Sequence, residues 1–436
     1  MRRLTIAVFC VLLPVQAQEN PMQQLIEAAR SGAASPGLAG LVTNTLSPHG
    51  GTAVWGEDYL FASDLTPSPT AAPVSASETG VSVDGQPPLA MTKIAGSNLW
   101  MRLVKMRVGV THAYQYYADG KPVTNRSDVP GYNPDSYPKT GVPRGKLSEK
   151  HSITSRIYDG MKADFWYYAS PGVDPNVPAP LMVWQDGQSL VSGDPQHYAQ
   201  VGDYSRLRLF TVTENLVAQK LIPPMVHILI APGFAPDGKA MRSIEYDTVS
   251  DRYNRFLLEE VLPEVEKAYK LRPDGYSRGI AGESSGGICS LNSAWFMPDK
   301  FSRVHSTIGS YTSIQWHPEE KLDGGNLYPF MVRKMPKRNI RIWMSDGTDD
   351  LENNHGSWPL QNIQLANSLK MREYDFHFRF GLATHDSAQA AIDLPESLTW
   401  LWRGYDPAKT SEEFKMEPGE KDKPYYRVTI SNRDAW

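Results

Sequence analysis

The sequence predicts an α/β domain with a mostly parallel sheet, preceded by a small β-sandwich. From residue 148 onward, apolar strands alternate with amphipathic helices, which is typical of a parallel α/β sheet. Between residues 38 and 137, short β runs follow one another without helices and are broken by glycine and proline. This spacing favours a sandwich of about 100 residues. The proline-rich segment 125–145 is interpreted as the linker between the two regions.

The composition is that of an ordinary globular protein. Of the 436 residues, 41% are hydrophobic and 21% are charged, and the formal net charge is −4. These values exclude disorder over the whole length and give no indication of a nucleic-acid-binding surface. The 34 prolines favour loops and sheet edges over a helical bundle.

Residues 1–17 have the layout of a secretory signal peptide. A basic start is followed by an apolar run from Leu4 to Val15, which is too short to span a bilayer, and small residues precede a cut after Ala17. We therefore expect export to the periplasm or beyond. Cys10 leaves with the signal, so the mature chain keeps Cys289 alone and has no internal disulfide. No later segment is apolar enough for a membrane span.

The N-terminal elements are predicted next. Residues 18–37 hold an amphipathic helix, 21–30, and a short linker. The β-sandwich covers residues 38–147, with one β run over 51–61, two more over 99–117 and a long loop over 64–89.

The α/β domain is predicted over residues 148–436. Its strand candidates are 181–184, 226–231, 278–281, 304–308, 340–344 and 376–380. Its helix candidates are 250–270, bent by Pro263, then 358–370 and 388–402.

A G-x-S-x-G pattern, Gly282-x-Ser284-x-Gly286, stands between the strand at 278–281 and a helical run at 288–296. This is the context of a nucleophile elbow, where flanking glycines permit a tight turn that exposes the serine hydroxyl. Ser285 is adjacent, but the residue two positions before it is Glu283 instead of glycine. Ser284 is therefore the predicted nucleophile.

The base and the acid are expected on loops after later strands, in the order Ser, acid, His. His385 follows the strand at 376–380 and is the predicted base, with His355 as the alternative. The acid is one of three aspartates after the strand at 340–344, and spacing alone does not separate them: Asp346, Asp349 and Asp350.

The oxyanion hole is expected to use two backbone N–H groups, those of Ser285 and Gln188. Gln188 follows the strand at 181–184, and Gly187 is interpreted as the residue that lets the chain turn.

Three further residues are candidates for substrate binding. Arg242 is placed to pair with an anionic substrate, or alternatively with Glu245 or Asp247 in a structural salt bridge. Trp316 and Trp358 follow strand ends and are candidates either for lining an acyl pocket or for core and rim packing.

These segments together resemble the esterase family that contains enterochelin esterases, feruloyl and acetylxylan esterases and the mycolyltransferases. The resemblance covers residues 150–405 and rests on the elbow, on Asp186-Gly187-Gln188, on Arg242–Asp247 and on Gly309-Ser310-Tyr311. Residues 38–140 resemble more weakly the immunoglobulin-like (E-set) β-sandwich that often precedes that domain.

The resemblance implies an α/β-hydrolase fold for the catalytic domain and Asp350 as the acid. Gly347-Thr348-Asp349-Asp350 matches the family's G-x-x-D. The family's G-x-H-D is kept as His385-Asp386, but Ala383 stands where the glycine would be.

The sequence therefore predicts an exported serine carboxylic-ester hydrolase that works through an acyl-enzyme. The resemblance implies hydroxycinnamoyl or acetyl esters of polysaccharides, or siderophore-like esters, as substrates. An acyltransferase of the same fold and a non-catalytic glycan-binding protein are the alternatives. No metal or cofactor is expected, because paired histidines at i, i+4 and phosphate-binding motifs are absent from the sequence. The sequence carries no prediction of oligomeric state.

Overall fold

The computed structural model describes residues 20–66, 78–317, 319–320, 324–420 and 428–429. The predicted signal peptide, with Cys10, lies outside these residues. The described chain begins with a β-rich region of two sheets and continues into a ten-stranded sheet with helices on both faces.

Two helices and nine strands build the described part of the β-rich region. The helices are α1 (Pro21–Arg30) and α2 (Leu38–Thr45). The strands are β1 (Gly50–Trp55), β2 (Asp58–Ser63), β3 (Thr79–Val83), β4 (Leu89–Ala90), β5 (Thr92–Lys93), β6 (Trp100–Lys105), β7 (Thr111–Ala118), β8 (Lys121–Pro122) and β9 (Ser127–Pro130). One sheet has the order β1-β2-β6-β5, and the other has the order β4-β3-β7-β8 with β9 beside β7.

The two sheets enclose a common apolar core. Phe61 of β2 lies in one buried cluster with Val81 of β3 and Tyr116 of β7, and the Tyr116 hydroxyl donates to the carbonyl of Ala62 at 3.2 Å. Helices α1 and α2 cover the other side of the first sheet, where they bury residues such as Leu25. The arrangement is that of two packed β layers.

Three local expectations differ from the structure. Residues 38–45 form α2 where a β run was expected to begin, and β3 lies within the predicted long loop, of which residues 67–77 lie outside the described chain. The predicted linker contains β9, because Val129 is buried in the core between the sheets and its strand pairs with β7. The division into domains at residue 147 and the E-set assignment stay predictions.

The α/β region holds twelve strands and nine α-helices among the described residues. The strands are β10 (Lys146–Leu147), β11 (His151–Thr154), β12 (Lys162–Ala169), β13 (Leu181–Gln185), β14 (Val226–Ile230), β15 (Arg278–Glu283), β16 (Arg303–Thr307), β17 (Arg341–Asp349), β18 (Glu352–Asn353), β19 (Gly356–Ser357), β20 (Asp375–Thr384) and β21 (Val428–Thr429). The helices are α3 (Pro195–Val201), α4 (Leu209–Ala218), α5 (Arg242–Tyr246), α6 (Arg252–Phe256), α7 (Leu262–Glu266), α8 (Ser285–Phe296), α9 (Tyr328–Lys334), α10 (Trp358–Met371) and α11 (Ala388–Trp402).

The large sheet has the order β10-β12-β14-β13-β15-β16-β17-β20-β21, with β11 beside β12. From β14 to β21 all neighbouring strands are parallel, whereas β12 is antiparallel to β14. All six strands predicted for this region are present. The α/β fold class predicted from strand–helix alternation is confirmed.

Successive side chains of the central strands point to opposite faces of the sheet and pack into two different cores. Val183 of β13 faces the cluster that contains α8 and α10, whereas Trp184 faces the cluster of α4 and α11. The predicted helix 250–270 is α6 and α7 joined by a π-helical turn, Leu257–Val261. Pro263 has no N–H to continue the i→i−4 ladder, and the helix accommodates it with this irregular turn.

Parallel strands bring the chain segments that follow them to one edge of the sheet. Strands β13, β15, β16, β17 and β20 all end there. The residues that the sequence singled out after these strands therefore meet at the same edge. Among the described residues, no helix combines the length and the apolar character needed to cross a membrane.

Candidate active site

The turn at Ser284 connects β15 to α8 in a strained backbone conformation. Ser284 has φ 56° and ψ −121°, values that a residue with a side chain adopts only when its surroundings impose them. A Cβ on Gly282 would lie 2.5 Å from the carbonyl carbon of Gly286, and a Cβ on Gly286 would lie 3.0 Å from the side-chain Cβ of Gln185. Close approach of the backbone of α8 therefore explains Gly282, and close approach of a β13 side chain explains Gly286.

Three predicted residues are linked by hydrogen bonds. Ser284 Oγ lies 2.9 Å from His385 Nε2, and His385 Nδ1 lies 2.5 Å from Asp350 Oδ1. The Asp350 side chain is fully buried, whereas the imidazole is 22% exposed and so remains accessible from the solvent side. This chain of contacts has the geometry of a nucleophile, a general base and an orienting carboxylate.

The alternative acids lie elsewhere. Asp349 forms an ion pair with Arg126 at 2.9 Å, and its other carboxylate oxygen accepts from the Thr348 hydroxyl at 3.1 Å. Asp346 is buried and accepts a hydrogen bond from the Gly347 N–H at 2.7 Å. Burial, together with a hydrogen bond to Asp350 and its negative charge, raises the pKa of Asp346 well above its usual range. This environment favours the protonated form of Asp346, beside the carboxylate that faces the imidazole.

The alternative base, His355, takes part in a different contact. Its backbone carbonyl accepts hydrogen bonds from the N–H and the hydroxyl of Ser313, at 2.9 Å and 2.8 Å. The imidazole that the structure brings to Ser284 is that of His385.

The two candidate oxyanion donors are at the start of a helix and in a tight turn. Ser285 is the first residue of α8, and Gln188 lies in the 3-10 turn Gly187–Leu190 after β13. In the described part of the chain, neither backbone N–H donates to a protein acceptor. A Cβ on Gly187 would lie 2.3 Å from the carbonyl carbon of Leu229. That glycine is thus required by contact with β14, and the left-handed residue of the turn is Asp186, with φ 54°.

Arg242 forms an ion pair that the sequence did not predict. Its Nε and one Nη bond to the two carboxylate oxygens of Asp186, both at 2.8 Å. The proposed salt bridges to Glu245 and Asp247 are wrong, because the carboxylate partner comes from the end of β13 and not from the helix of Arg242 itself. The same guanidinium lies 3.5 Å from the carbonyl of Glu283. Arg242 therefore links the turn that carries Gln188 to the turn that carries Ser284.

The two candidate tryptophans have different environments. Trp316 is 53% exposed on a loop whose neighbour Gln315 donates to the Ser243 hydroxyl at 3.1 Å. Trp358 is buried, and its ring lies edge-on to that of His385 with 5.8 Å between centroids. Trp358 is therefore a packing partner of the imidazole, which matches the core alternative stated for it.

The β-rich region contacts the two loops that carry the acid and the base. The Asp128 carboxylate of β9 accepts a hydrogen bond from the backbone N–H of Thr384 at 2.8 Å. Arg206 donates to the Asp128 carbonyl at 2.7 Å and forms an ion pair with Asp386, directly after His385. Sequence reasoning missed these contacts, since nothing in a local pattern indicates a partner 256 residues away.

A buried carboxyl group stands directly before Ser284. Burial raises the pKa of Glu283 to about 7, although the Ser387 hydroxyl donates to it. Burial likewise raises the pKa of Asp247, whose carboxylate bonds to the Ser243 and Ser285 hydroxyls, to about 6. Within the described ranges, no group of three or more His, Cys, Asp or Glu side chains is arranged to hold a metal ion.

The parallel sheet, the strand–turn–helix at Ser284 and the helices on both faces define an α/β-hydrolase fold. The chain belongs to the putative esterase family, whose sequence model matches residues 160–400. The resemblance noted from the motifs is thereby confirmed.

A curated relative is an enterobactin esterase. Over 264 residues the chain is 22% identical to the iron(III) enterobactin esterase of Dickeya dadantii (strain 3937), a match that covers 57% of this chain and 53% of that protein. The chain thus spans about half the length of the curated relative it matches.

Two crystal structures share the fold. The enterobactin esterase of Shigella flexneri, solved in the presence of 2,3-dihydroxy-N-benzoyl-glycine, has a TM-score of 0.53 at 17% identity and covers 79% of this chain and 93% of its own. The ferric enterobactin esterase of Salmonella typhimurium has a TM-score of 0.50 at 18% identity and covers 80% and 94%. A match over 79% of this chain is longer than the segment from residue 160 to the C-terminus. The shared fold therefore includes part of the β-rich region.

The contact of Asp128 with the histidine loop predicts a role for the β-rich region in turnover. In Asp128→Ala the Thr384 N–H loses its acceptor and the loop before His385 loses a support, so we expect kcat to fall about tenfold, as for the loss of one hydrogen bond to a charged group. Steady-state kinetics of the wild type and Asp128→Ala, recorded well below the melting temperature of both proteins, measure this fall in kcat.

Asp84→Ala is the control for loss of a carboxylate from the β-rich region: one Asp84 oxygen accepts from the Ala113 N–H at 2.9 Å and the other lies 2.8 Å from His112 Nδ1, both away from the two loops. Equal losses of kcat in the two variants would contradict the prediction.

The raised pKa of Glu283 predicts a pH-dependent stability. Because its pKa is about 7 in the folded chain against 4.5 for the free group, the native state holds the proton more tightly than the unfolded state does. The free energy of unfolding should therefore fall as the pH rises from about 4.5 through about 7, and Glu283→Gln should remove this contribution.

Urea denaturation of both proteins at several pH values measures the difference. The wild type should lose stability relative to Glu283→Gln across that window. A stability difference independent of pH would show that Glu283 does not titrate as described.

Proposed function

We propose that this chain is a serine carboxylic-ester hydrolase that works through an acyl-enzyme. The observation that carries the proposal is the hydrogen-bonded series Ser284–His385–Asp350 at the carboxyl edge of the sheet. Membership of the putative esterase family supports the same reaction class.

In the proposed acylation step, Ser284 Oγ attacks the ester carbonyl carbon while His385 Nε2 takes its proton. The carbonyl oxygen becomes negatively charged and accepts hydrogen bonds from the N–H groups of Ser285 and Gln188. The bond to the alcohol oxygen then breaks, and that oxygen takes the proton from His385. Asp350 accepts from Nδ1–H, which fixes the tautomer and stabilises the charged imidazole.

Deacylation repeats the sequence with water. His385 takes a proton from the water, whose oxygen attacks the acyl carbon. Ser284 Oγ leaves with its electron pair and regains the proton from His385. The products are a carboxylic acid and an alcohol, and no co-reactant besides water is needed.

Two classes of ester are candidate substrates. The similarity to enterobactin esterases, in sequence and in fold, favours a catecholate ester of the siderophore type. The predicted export signal favours hydroxycinnamoyl or acetyl esters of polysaccharides, because such substrates lie outside the cell. The exposed Trp316 is suited to contact an aromatic acyl group, as in a catecholate or hydroxycinnamoyl ester, but has no such partner in an acetyl ester.

A panel of catecholate, hydroxycinnamoyl and acetyl esters, assayed with the wild type and Ser284→Ala, tests the proposal. We expect Ser284→Ala to lower kcat by about 10⁴-fold or more without loss of fold. Ser293→Ala, which removes a buried hydroxyl from the same helix, should retain turnover. Hydrolysis by Ser284→Ala at the wild-type rate would refute the assignment, and products formed with added alcohol instead of water would indicate an acyltransferase.

We also propose that the chain is exported after removal of residues 1–17. The basic start, the short apolar run and the small residues before the cut support this. Expression of the full sequence in a bacterial host, followed by fractionation and N-terminal sequencing, tests it. The mature protein should begin at Gln18 outside the cytoplasm, and an intact N-terminus on cytoplasmic protein would contradict export.

A further inference from the structure

We propose that Ser310 is a positioning residue that donates a hydrogen bond to Ser284 Oγ and so directs the Ser284 proton towards His385. The inference rests on the proposed function. The residue stands in the short segment between β16 and α9, outside the predicted triad and oxyanion hole, and the sequence assigned it no role.

Ser310 is buried and contacts the nucleophile twice. Its Oγ lies 3.2 Å from Ser284 Oγ, and its backbone N–H donates to the Ser284 carbonyl at 3.0 Å. The indole Nε1 of Trp358 lies 3.2 Å from the same Ser310 Oγ. One hydroxyl therefore joins the nucleophile to a buried tryptophan.

The direction of these bonds follows from the donors available. An indole N–H can only donate, so Ser310 Oγ is the acceptor of the bond from Trp358. The Ser310 proton then needs an acceptor, and among the described residues Ser284 Oγ is the one within hydrogen-bond distance. Ser284 Oγ thus accepts from Ser310, and its own proton is free to point at His385 Nε2, 2.9 Å away.

The segment that carries Ser310 is held in a strained conformation. Ile308, a β-branched residue, has φ 46°, which it adopts only under constraint from its surroundings. Its N–H donates to the Ser345 carbonyl at 2.7 Å, and the Asn362 amide donates to the Gly309 carbonyl at 2.9 Å. These bonds fix the bend that brings the Ser310 hydroxyl to the elbow. Strained, over-determined backbone of this kind concentrates at functional sites.

The bond acts where negative charge develops on Ser284 Oγ. During attack, the O–H bond of Ser284 breaks as its proton moves to His385, and the electron pair left on Oγ forms the bond to the carbonyl carbon. A donor on Oγ stabilises this charge before the new bond is complete. In deacylation the bond from Oγ to the acyl carbon breaks, and the same donor stabilises Oγ until His385 returns the proton.

The experiment compares turnover of p-nitrophenyl acetate with the rate of covalent labelling by a fluorophosphonate, which reports on the nucleophile independently of the natural ester. Ser310→Ala should lower kcat and the labelling rate about tenfold, as for a hydrogen bond to a charged oxygen, and should leave KM within about twofold. Ser310→Thr keeps the hydroxyl and should restore both rates. Trp358→Phe removes the directing N–H and also part of the ring that packs against His385, and it should likewise lower kcat.

Tyr311→Phe is the matched control, because it removes a neighbouring buried hydroxyl that bonds to Ser306 at 2.7 Å and does not contact the nucleophile. It should retain wild-type rates. If Ser310→Ala has wild-type turnover and a wild-type labelling rate while Ser284→Ala loses both, the role of Ser310 is refuted and the proposed function stands. If Ser284→Ala leaves turnover and labelling intact, the proposed function fails and this inference with it.

Should Ser310→Ala not fold, Trp358→Phe and Ser310→Cys decide the matter. A folded Trp358→Phe at the full wild-type rate would overturn the directed series of bonds. Ser310→Cys leaves Trp358 against His385 and exchanges the hydroxyl for a weaker donor. A loss of kcat at unchanged KM in both Trp358→Phe and Ser310→Cys would support the role of Ser310, whereas a loss in Trp358→Phe alone would assign the effect to the packing of His385.

Discussion

The whole site depends on the left-handed turn at Ser284. Four backbone hydrogen bonds hold this residue, one from its own N–H to the Thr307 carbonyl and three to its carbonyl, from Gly287, Ile288 and Ser310. Its glycine neighbours are required because the strand and the helix approach each other too closely for a Cβ. The strain of the turn, of the order of 1–3 kcal/mol, is offset by the surrounding sheet. The hydroxyl is consequently fixed at the sheet edge before any substrate arrives.

The β-rich region is part of this framework. Ala391 of α11, the helix that follows His385, is buried in the core between the two N-terminal sheets. The Arg208 guanidinium lies 3.6 Å from the ring centre of Tyr132 and donates to the Val54 carbonyl at 2.9 Å. Together with Asp128, these contacts fix the region against the histidine loop. The β-rich region is thereby attached to the chain segments on both sides of His385.

Much of this arrangement could be predicted from sequence where local sterics and apolar patterns decide the structure. The elbow could be predicted because its sequence pattern lies within five residues and directly follows an apolar strand, and the six strands could be predicted because each is a continuous apolar run. Other features depend on distant contacts. The carboxylate that pairs with Arg242 follows a strand distant in sequence, β13. The pairing of β9 depends on the burial of Val129 in the core between the sheets. Ser310 contacts Ser284 and Trp358, which are 26 and 48 residues away in the sequence. No local pattern contains that information.

The Asp128–Thr384 hydrogen bond also constrains the order in which the chain folds. It closes a loop of 256 residues, and contacts of such sequence separation form late, after the conformational entropy of the intervening chain has been lost. Both the second sheet of the β-rich region and the last strands of the large sheet must be in place before the histidine loop acquires its final support. Full catalytic competence would then appear as one of the last events of folding. A partly folded chain would hold the nucleophile without a well-positioned base.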